Sequence, residues 1–213
     1  MTALKHHIAT LIFLLTVVTS FAQEASPNYL LAFSDSSSGK ELWGFKTTSG
    51  HIAIKPKYEI LLSDTLYNIA FVTLKYKWIA INKQDSIILA PYIFDNGPDY
   101  EQEGLFRFVE NGKIGFANLK GEKIIPAKLD FASPFSQGLA AFSVGGQMEK
   151  SDEEHSTWKG GLWGFINRKG QVVIKPQFAN VYDFNRGTCE VWTRDKRHVL
   201  IDKKGRILKV LAN

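Results

Sequence analysis

One pattern recurs along this 213-residue chain: two short apolar runs separated by a four-residue turn. The clearest copies are "LWGFKTTSGHIAIKPKY" from Leu42 and "LWGFINRKGQVVIKPQF" from Leu162, and weaker copies begin at Lys77, Lys113 and Arg197. A type I turn that ends in a left-handed residue prefers Asn or Asp at its start and Gly at its end. The copies have this turn chemistry, so the pattern predicts five β-hairpins.

A further apolar run precedes each hairpin, and the runs read "YLLAFS", "IAFVTL", "LFRFV", "LAAFSV" and "TCEVW". A run and a hairpin together make a three-stranded meander, which cannot bury its own face and must stack on its neighbours. We therefore predict an all-β fold of five tandem three-stranded antiparallel units, stacked as a propeller-like ring or an open curved array. The units are expected at about residues 28–60, 61–94, 104–130, 138–178 and 187–211.

The repeated residues are interpreted as framework rather than as a ligand site, because periodic placement in successive units is what packing requires. Asp85 replaces the turn glycine in the second hairpin, and Asp tolerates a left-handed backbone better than most residues. A proline follows the second apolar run and is expected to end that strand, since it has no N–H to donate. The framework positions are Trp43, Gly44, Phe45, Gly50, Pro56, Trp78, Pro91, Gly115, Phe116, Gly121, Pro126, Trp163, Gly164, Phe165, Gly170, Pro176 and Gly205.

The recurring "WGF", followed by a glycine, an apolar triplet and "KP", resembles the WG-repeat (KWG-repeat) proteins of bacterial envelopes. The resemblance covers nearly all of the chain after residue 22 and is strongest in the first and fourth hairpins. It weakens where Ile79 follows Trp78, where Ile114 replaces Trp, and where His198 and Val199 replace the Trp-Gly pair. The resemblance implies a β-repeat scaffold with no inherited catalytic residues and no cofactor.

The first 22 residues are predicted to be a signal peptide, followed by a single domain over residues 23–213. Lys5 precedes an apolar run from Ile8 to Val18, and Ser20 and Ala22 have the spacing that signal peptidase requires. The run is about half of the roughly 20 residues that span a bilayer, so no transmembrane segment is expected after cleavage. No cysteine lies directly after the run, where a lipid would be attached, so we expect an exported periplasmic or extracellular protein that is not a lipoprotein.

The charge gives no indication of nucleic-acid binding, and the cysteine content excludes an internal disulfide. A formal net charge of +5 is too small to indicate nucleic-acid binding. The single cysteine, Cys189, cannot form an internal disulfide and lies in an apolar run, so it is predicted to be a structural thiol.

Candidate contact residues lie where the pattern is interrupted. An insertion at residues 147–160 is polar and is predicted to be a surface loop, and a second acidic loop spans residues 95–104. Trp192 is expected to face away from the apolar set of its strand. Four consecutive residues from Asp152 to His155 do not have the alternate spacing of a calcium loop, so no metal site is assigned. The candidate contacts are Trp158, Trp192, Glu153, Glu154, His155 and Tyr100.

No arrangement of residues indicates catalysis. After cleavage the histidines are His51, His155 and His198, and no "GxSxG" motif is present. The favoured interpretation is an exported, non-enzymatic scaffold that binds another macromolecule, first of all an envelope protein. The alternatives are a lectin-like module whose indoles stack on saccharides, and a hydrolase whose distant acids meet in the fold.

Signal cleavage gives a direct test. Full-length protein expressed in a Gram-negative host is expected to appear in the periplasm with Gln23 as its first residue, as measured by intact mass. Ala22→Arg should leave the precursor uncleaved, because the peptidase requires a small residue at this position. Intact protein that begins at Met1 in the wild type would contradict the prediction.

Overall fold

The computed structural model describes residues 28–150 and 156–211. This part of the chain consists of strands and turns with no helix, so the all-β prediction is confirmed. It therefore contains no helix that is long and apolar enough to cross a membrane.

The strands follow one another along the chain with short connections. The first eleven are β1 (Leu30–Asp35), β2 (Leu42–Lys46), β3 (Ile52–Tyr58), β4 (Thr65–Leu66), β5 (Ile69–Leu74), β6 (Lys77–Asn82), β7 (Ile87–Pro91), β8 (Ile93–Phe94), β9 (Gly97–Pro98), β10 (Phe106–Glu110) and β11 (Lys113–Ala117). The others are β12 (Lys123–Leu129), β13 (Phe131–Ala132), β14 (Leu139–Val144), β15 (Gln147–Lys150), β16 (Ser156–Lys159), β17 (Leu162–Asn167), β18 (Val172–Phe178), β19 (Asn180–Val181), β20 (Thr188–Trp192), β21 (His198–Asp202) and β22 (Ile207–Val210).

Consecutive strands pair as antiparallel meanders. Three four-stranded sheets have the orders β3-β2-β1-β4, β13-β14-β17-β18 and β19-β20-β21-β22. A six-stranded sheet has the order β12-β11-β10-β7-β6-β5, and β8-β9 and β15-β16 form separate two-stranded ribbons.

The hairpin turns have the predicted left-handed final residue. Gly50 has a φ of 90°, and its N–H donates to the carbonyl of Thr47 at 3.0 Å. Asp85 occupies the same turn position with a φ of 62°, and its N–H donates to the carbonyl of Asn82 at 3.0 Å. The side chains that open the later turns reinforce this geometry, since Asn167 Oδ1 accepts hydrogen bonds from two backbone N–H groups of its own turn.

The glycine of the Trp-Gly pair lies where the next strand crosses close to it. A β-carbon on Gly44 would lie 2.7 Å from the nitrogen of Pro56, and one on Gly164 would lie 2.7 Å from the nitrogen of Pro176. Neither contact is sterically acceptable. The glycine is therefore required by a backbone-to-backbone contact within these hairpins.

The prediction that proline ends the second hairpin strand is wrong for most copies. Pro56 lies inside β3, and the pairing resumes beyond it, because Trp43 pairs with Tyr58 while Phe45 pairs with Ile54. Pro126 and Pro176 likewise lie inside β12 and β18. The register shift is a β-bulge, and a bulge accepts proline because its residues leave the hydrogen-bonded ladder.

The second hairpin departs from this arrangement at Ile79. The pairing between β6 and β7 stops at Ala80 and Leu89, and β7 ends at Pro91. The opposite edge of β7 pairs with β10, with Pro91 opposite Phe108. In this copy Ile79 stands where Gly44 stands in the first, and β7 joins two units into one sheet.

The core lies between successive units. Phe45, Phe116 and Phe165 are almost fully buried at equivalent strand positions. Phe165 contacts Phe184 of the following segment with ring centroids 4.9 Å apart. The turns also pack on the preceding unit, since a β-carbon on Gly170 would lie 3.0 Å from Ile125 Cγ2. Each unit therefore buries its apolar face against its sequence neighbours, as repeat architectures require.

The insertion, which was predicted to be a surface loop, contains a two-stranded ribbon. Gln147 pairs with Lys159 and Met148 pairs with Trp158. Glycines with positive φ stand at both ends of its base, Gly145 and Gly146 on one side and Gly160 and Gly161 on the other. Each strand has four residues, which is too short for its alternation to be recognised within a polar sequence.

The close approach at Gly164 predicts a steric penalty. Gly164→Ala is expected to destabilise the protein by about 1–3 kcal/mol, because the added methyl group must displace the backbone of β18. The measurement is the free energy of unfolding in urea. Gly97→Ala is the control, since a β-carbon at Gly97 meets no atom within 4 Å. Equal stability of the two variants would contradict the proposed role of the glycine.

Candidate functional site

A cleft of about 580 Å³ is lined by the segment after β7, the segment that begins at β13, the β15–β16 ribbon and the segment from β19 to residue 183, with one residue each from β10 and β17. Its aromatic lining consists of Tyr92, Phe94, Tyr100, Phe131, Trp158 and Trp163. Its polar lining includes Gln102, Ser133, Thr157, Asn180 and Asp183. The volume lies within the range of sites that take small organic ligands.

A buried ion pair lies at the base of the cleft. Arg107 on β10 is 3% exposed and Asp99 is 6% exposed. The guanidinium donates from Nε to Asp99 Oδ2 at 2.7 Å and from Nη2 to Oδ1 at 2.8 Å. Its Nη1 donates to the carbonyl of Ala132 at 2.9 Å. This bidentate geometry satisfies the buried charges and ties the segment before β10 to the strand.

Tyr92 covers the guanidinium from one side. The centre of the guanidinium lies 4.2 Å from the ring centroid of Tyr92, which is a cation–π distance. Burial raises the pKa of the Tyr92 phenol, Asp99 raises it further, and Arg107 acts in the opposite direction. The phenol is therefore neutral at physiological pH and offers a neutral hydroxyl at the cleft.

Phe131 connects the aromatic side chains of the cleft. Its ring is stacked on Trp158 with centroids 5.2 Å apart and planes 15° apart. It contacts Trp163 edge-on at 5.8 Å and Tyr92 edge-on at 6.2 Å. These stacked and edge-on arrangements are the favoured ones for aromatic pairs, so the four rings hold each other in place.

The indole of Trp158 is further restrained along its nitrogen edge. A β-carbon on Gly146 would lie 2.7 Å from Trp158 Nε1, so the absence of a side chain at Gly146 makes room for the indole. One face of the ring lies on Phe131 and the nitrogen edge lies on Gly146. The remaining surface of the indole lines the cleft.

Two further aromatic residues of the cleft are largely exposed. Tyr100 is 72% exposed and Phe94 is 56% exposed. Both belong to a segment whose β8–β9 turn passes through Asp95 and Asn96, at φ values of 49° and 68°. The Asp99–Arg107 ion pair anchors this segment immediately before Tyr100.

The structure separates the predicted contact residues. Trp158 and Tyr100, which are far apart in sequence, line the same cleft. Trp192 is half-buried elsewhere, where its ring stacks on His198 with centroids 4.6 Å apart and planes 3° apart. Glu153, Glu154 and His155 lie outside the described residues.

Sequence reasoning missed the ion pair and Phe131. The available signal was Arg107 in the middle of the apolar run "LFRFV", where a cation needs a buried partner. Its partner could not be found from spacing, because Asp99 lies in a loop that also carries Asp95, Glu101 and Glu103.

Cys189 is far from reactive. It is 1% exposed, and burial raises the pKa of its thiol to about 12. Its Sγ donates to the carbonyl of Tyr182 at 2.9 Å. A protonated, buried thiol is a packing residue. Within residues 28–150 and 156–211, no three His, Cys, Asp or Glu side chains are grouped closely enough to hold a metal ion.

The chain is similar to one known family. A family model described as a WG containing repeat matches residues 43–78, 80–113, 114–147 and 163–191, which together exceed half of the chain. The matched stretches run from one hairpin into the first strand of the next meander, and β21 and β22 lie beyond the last of them. No curated protein matches the chain.

The buried ion pair predicts a large effect of a small substitution. Asp99→Asn should lower the free energy of unfolding by about 3–5 kcal/mol, because it leaves the Arg107 charge buried without a counter-charge. Urea unfolding measures this change. Asp183→Asn, which alters an exposed carboxylate of the same cleft, should shift the value by no more than about 0.5 kcal/mol. A wild-type value for Asp99→Asn would show that the pair does not stabilise the fold.

Proposed function

Because the chain belongs to the family of WG containing repeats, we propose that it is an exported, non-enzymatic β-repeat scaffold that binds a macromolecule of the cell envelope in its aromatic cleft. The observation that supports this proposal is the cleft itself. Six aromatic side chains from four parts of the chain line it, and four of them are held by contacts with each other. Rigid aromatic groups in a concave site contribute binding energy at little entropic cost.

Two polar residues of the cleft, Asp99 and Ser133, are engaged in structure rather than in catalysis. Both carboxylate oxygens of Asp99 accept hydrogen bonds from Arg107, so they are engaged in structure. Ser133 Oγ donates to the carbonyl of Pro134 at 3.0 Å and accepts from the N–H of Ala141 at 3.0 Å. A general base or nucleophile needs a reactive atom that is available to substrate. These groups instead hold the walls of the cleft.

Export is proposed on the N-terminal sequence. Lys5, the apolar run from Ile8 to Val18 and the small residues Ser20 and Ala22 are typical of a secretory signal. An exported scaffold meets envelope proteins and envelope glycans. The sequence alone favours a protein partner.

The test is capture from an envelope extract of the source organism by the immobilised chain from Gln23. The Tyr100→Ala variant should retain the bound macromolecule about tenfold less well than the wild type, since an exposed aromatic at the cleft is a binding anchor. The bound material is analysed for both protein and carbohydrate.

Tyr76→Ala is the matched control. Tyr76 is 82% exposed and is not among the residues that line the cleft. We expect this variant to capture as well as the wild type. Equal capture by all three forms would remove the cleft from the proposal, and a loss in both variants would point to a nonspecific effect of exposed tyrosines.

A further inference from the structure

The lining of the cleft combines aromatic rings with polar side chains. The rings share the cleft with a carboxylate, two amides and a hydroxyl, contributed by Asp183, Asn180, Gln102 and Thr157. A sugar ring has a C–H face that packs on an aromatic plane and an edge of hydroxyl groups that need donors and acceptors. Flat rings flanked by short polar side chains offer both.

The charge of the cleft is compatible with a neutral ligand. Arg107 is the cationic residue of the lining, and its charge is compensated by Asp99 at the base. Asp183 is exposed and adds a negative charge at the rim. An anionic polymer would be repelled by Asp183 and would find no uncompensated cation among the described lining residues.

The backbone of the cleft does not suit an extended peptide. Peptides in grooves are usually held by main-chain hydrogen bonds along an exposed strand edge. The lining residues Phe94, Phe131 and Asn180 belong to β8, β13 and β19, each of which has two residues, and Met148 and Trp158 belong to β15 and β16, each of which has four. Strands this short offer few main-chain hydrogen bonds to a peptide, so recognition depends mainly on side chains.

The aromatic platform is also organised before a ligand arrives. Phe131 and Gly146 restrain the indole of Trp158. The ion pair between Arg107 and Asp99 anchors the segment that carries Tyr100. A flexible ligand that stacks on rings already held in place pays less ordering entropy than one that must first assemble the site.

From these features we propose that the cleft binds an uncharged saccharide chain, stacked on Trp158 and Tyr100 and hydrogen-bonded by Asp183 and Asn180. This inference rests on the proposed function, because it names the class of ligand for the same cleft. It assigns the binding site to residues of three elements: the β15–β16 ribbon, the segment before β10 and the segment from β19 to residue 183.

The experiment is calorimetric titration of the chain from Gln23 with defined tetrasaccharides. The neutral probes are tetramers of β-linked glucose, mannose and N-acetylglucosamine, and the anionic probe is a tetramer of uronic acid. At least one neutral probe should bind, and the uronic acid tetramer should bind at least tenfold more weakly. Trp158→Ala and Tyr100→Ala should each weaken binding about tenfold or more, whereas Tyr76→Ala should not.

Circular dichroism checks that each variant is folded. If Trp158→Ala does not fold, Tyr100→Ala still tests the inference, since Tyr100 is largely exposed. No binding of any neutral tetramer at millimolar concentration would overturn the inference. Preferred binding of the anionic tetramer, or neutral binding that Tyr100→Ala does not weaken, would also overturn it. If a captured protein depends on Tyr100 while no neutral tetramer binds, the saccharide inference fails and the proposed scaffold function stands. If neither capture nor titration depends on Tyr100, both fail.

Discussion

The close crossing of two backbones at the Trp-Gly glycine is the contact on which the repeat depends. At Gly44, Gly115 and Gly164 the following strand passes so near that no side chain fits. The crossing displaces three residues from the ladder as a bulge, and pairing then resumes at the tryptophan position, as between Trp43 and Tyr58. The bulge bends the outer strand, and it accommodates the proline that would otherwise break the pairing.

The candidate site arises where this regular arrangement is interrupted. In the second hairpin, where Ile79 replaces the glycine, β7 ends at Pro91 and pairs with β10, and the chain continues from β7 into the β8–β9 ribbon. That ribbon leads to Asp99 and Tyr100. The second interruption is the β15–β16 ribbon, which carries Trp158. Both irregular segments line the same cleft, so regular sheets hold a site that is built largely from irregular segments.

The Arg107–Asp99 pair connects the scaffold to the site. The pair joins three segments of the chain. Arg107 on β10 binds Asp99 in the preceding loop through two hydrogen bonds, and it donates a third to the carbonyl of Ala132 in the next segment. A buried ion pair contributes little net stability compared with apolar residues, because desolvation offsets the attraction. Its contribution here is to position the loop, since the bidentate bond holds Asp99 in a defined orientation against the guanidinium.

The sequence by itself determined the strand character, the turn positions and the family, because turn chemistry and alternating apolar residues act over a few neighbours. The left-handed Asp85 and the buried Phe45 and Phe165 follow from such local rules. Only the tertiary structure decided that proline lies within a bulged strand and that the insertion is a ribbon. Only it brought Tyr100, Phe131, Trp158 and Asp183 to one cleft. These contacts join residues far apart in the chain, and their positions depend on strand crossing and on unit stacking, which no local pattern encodes.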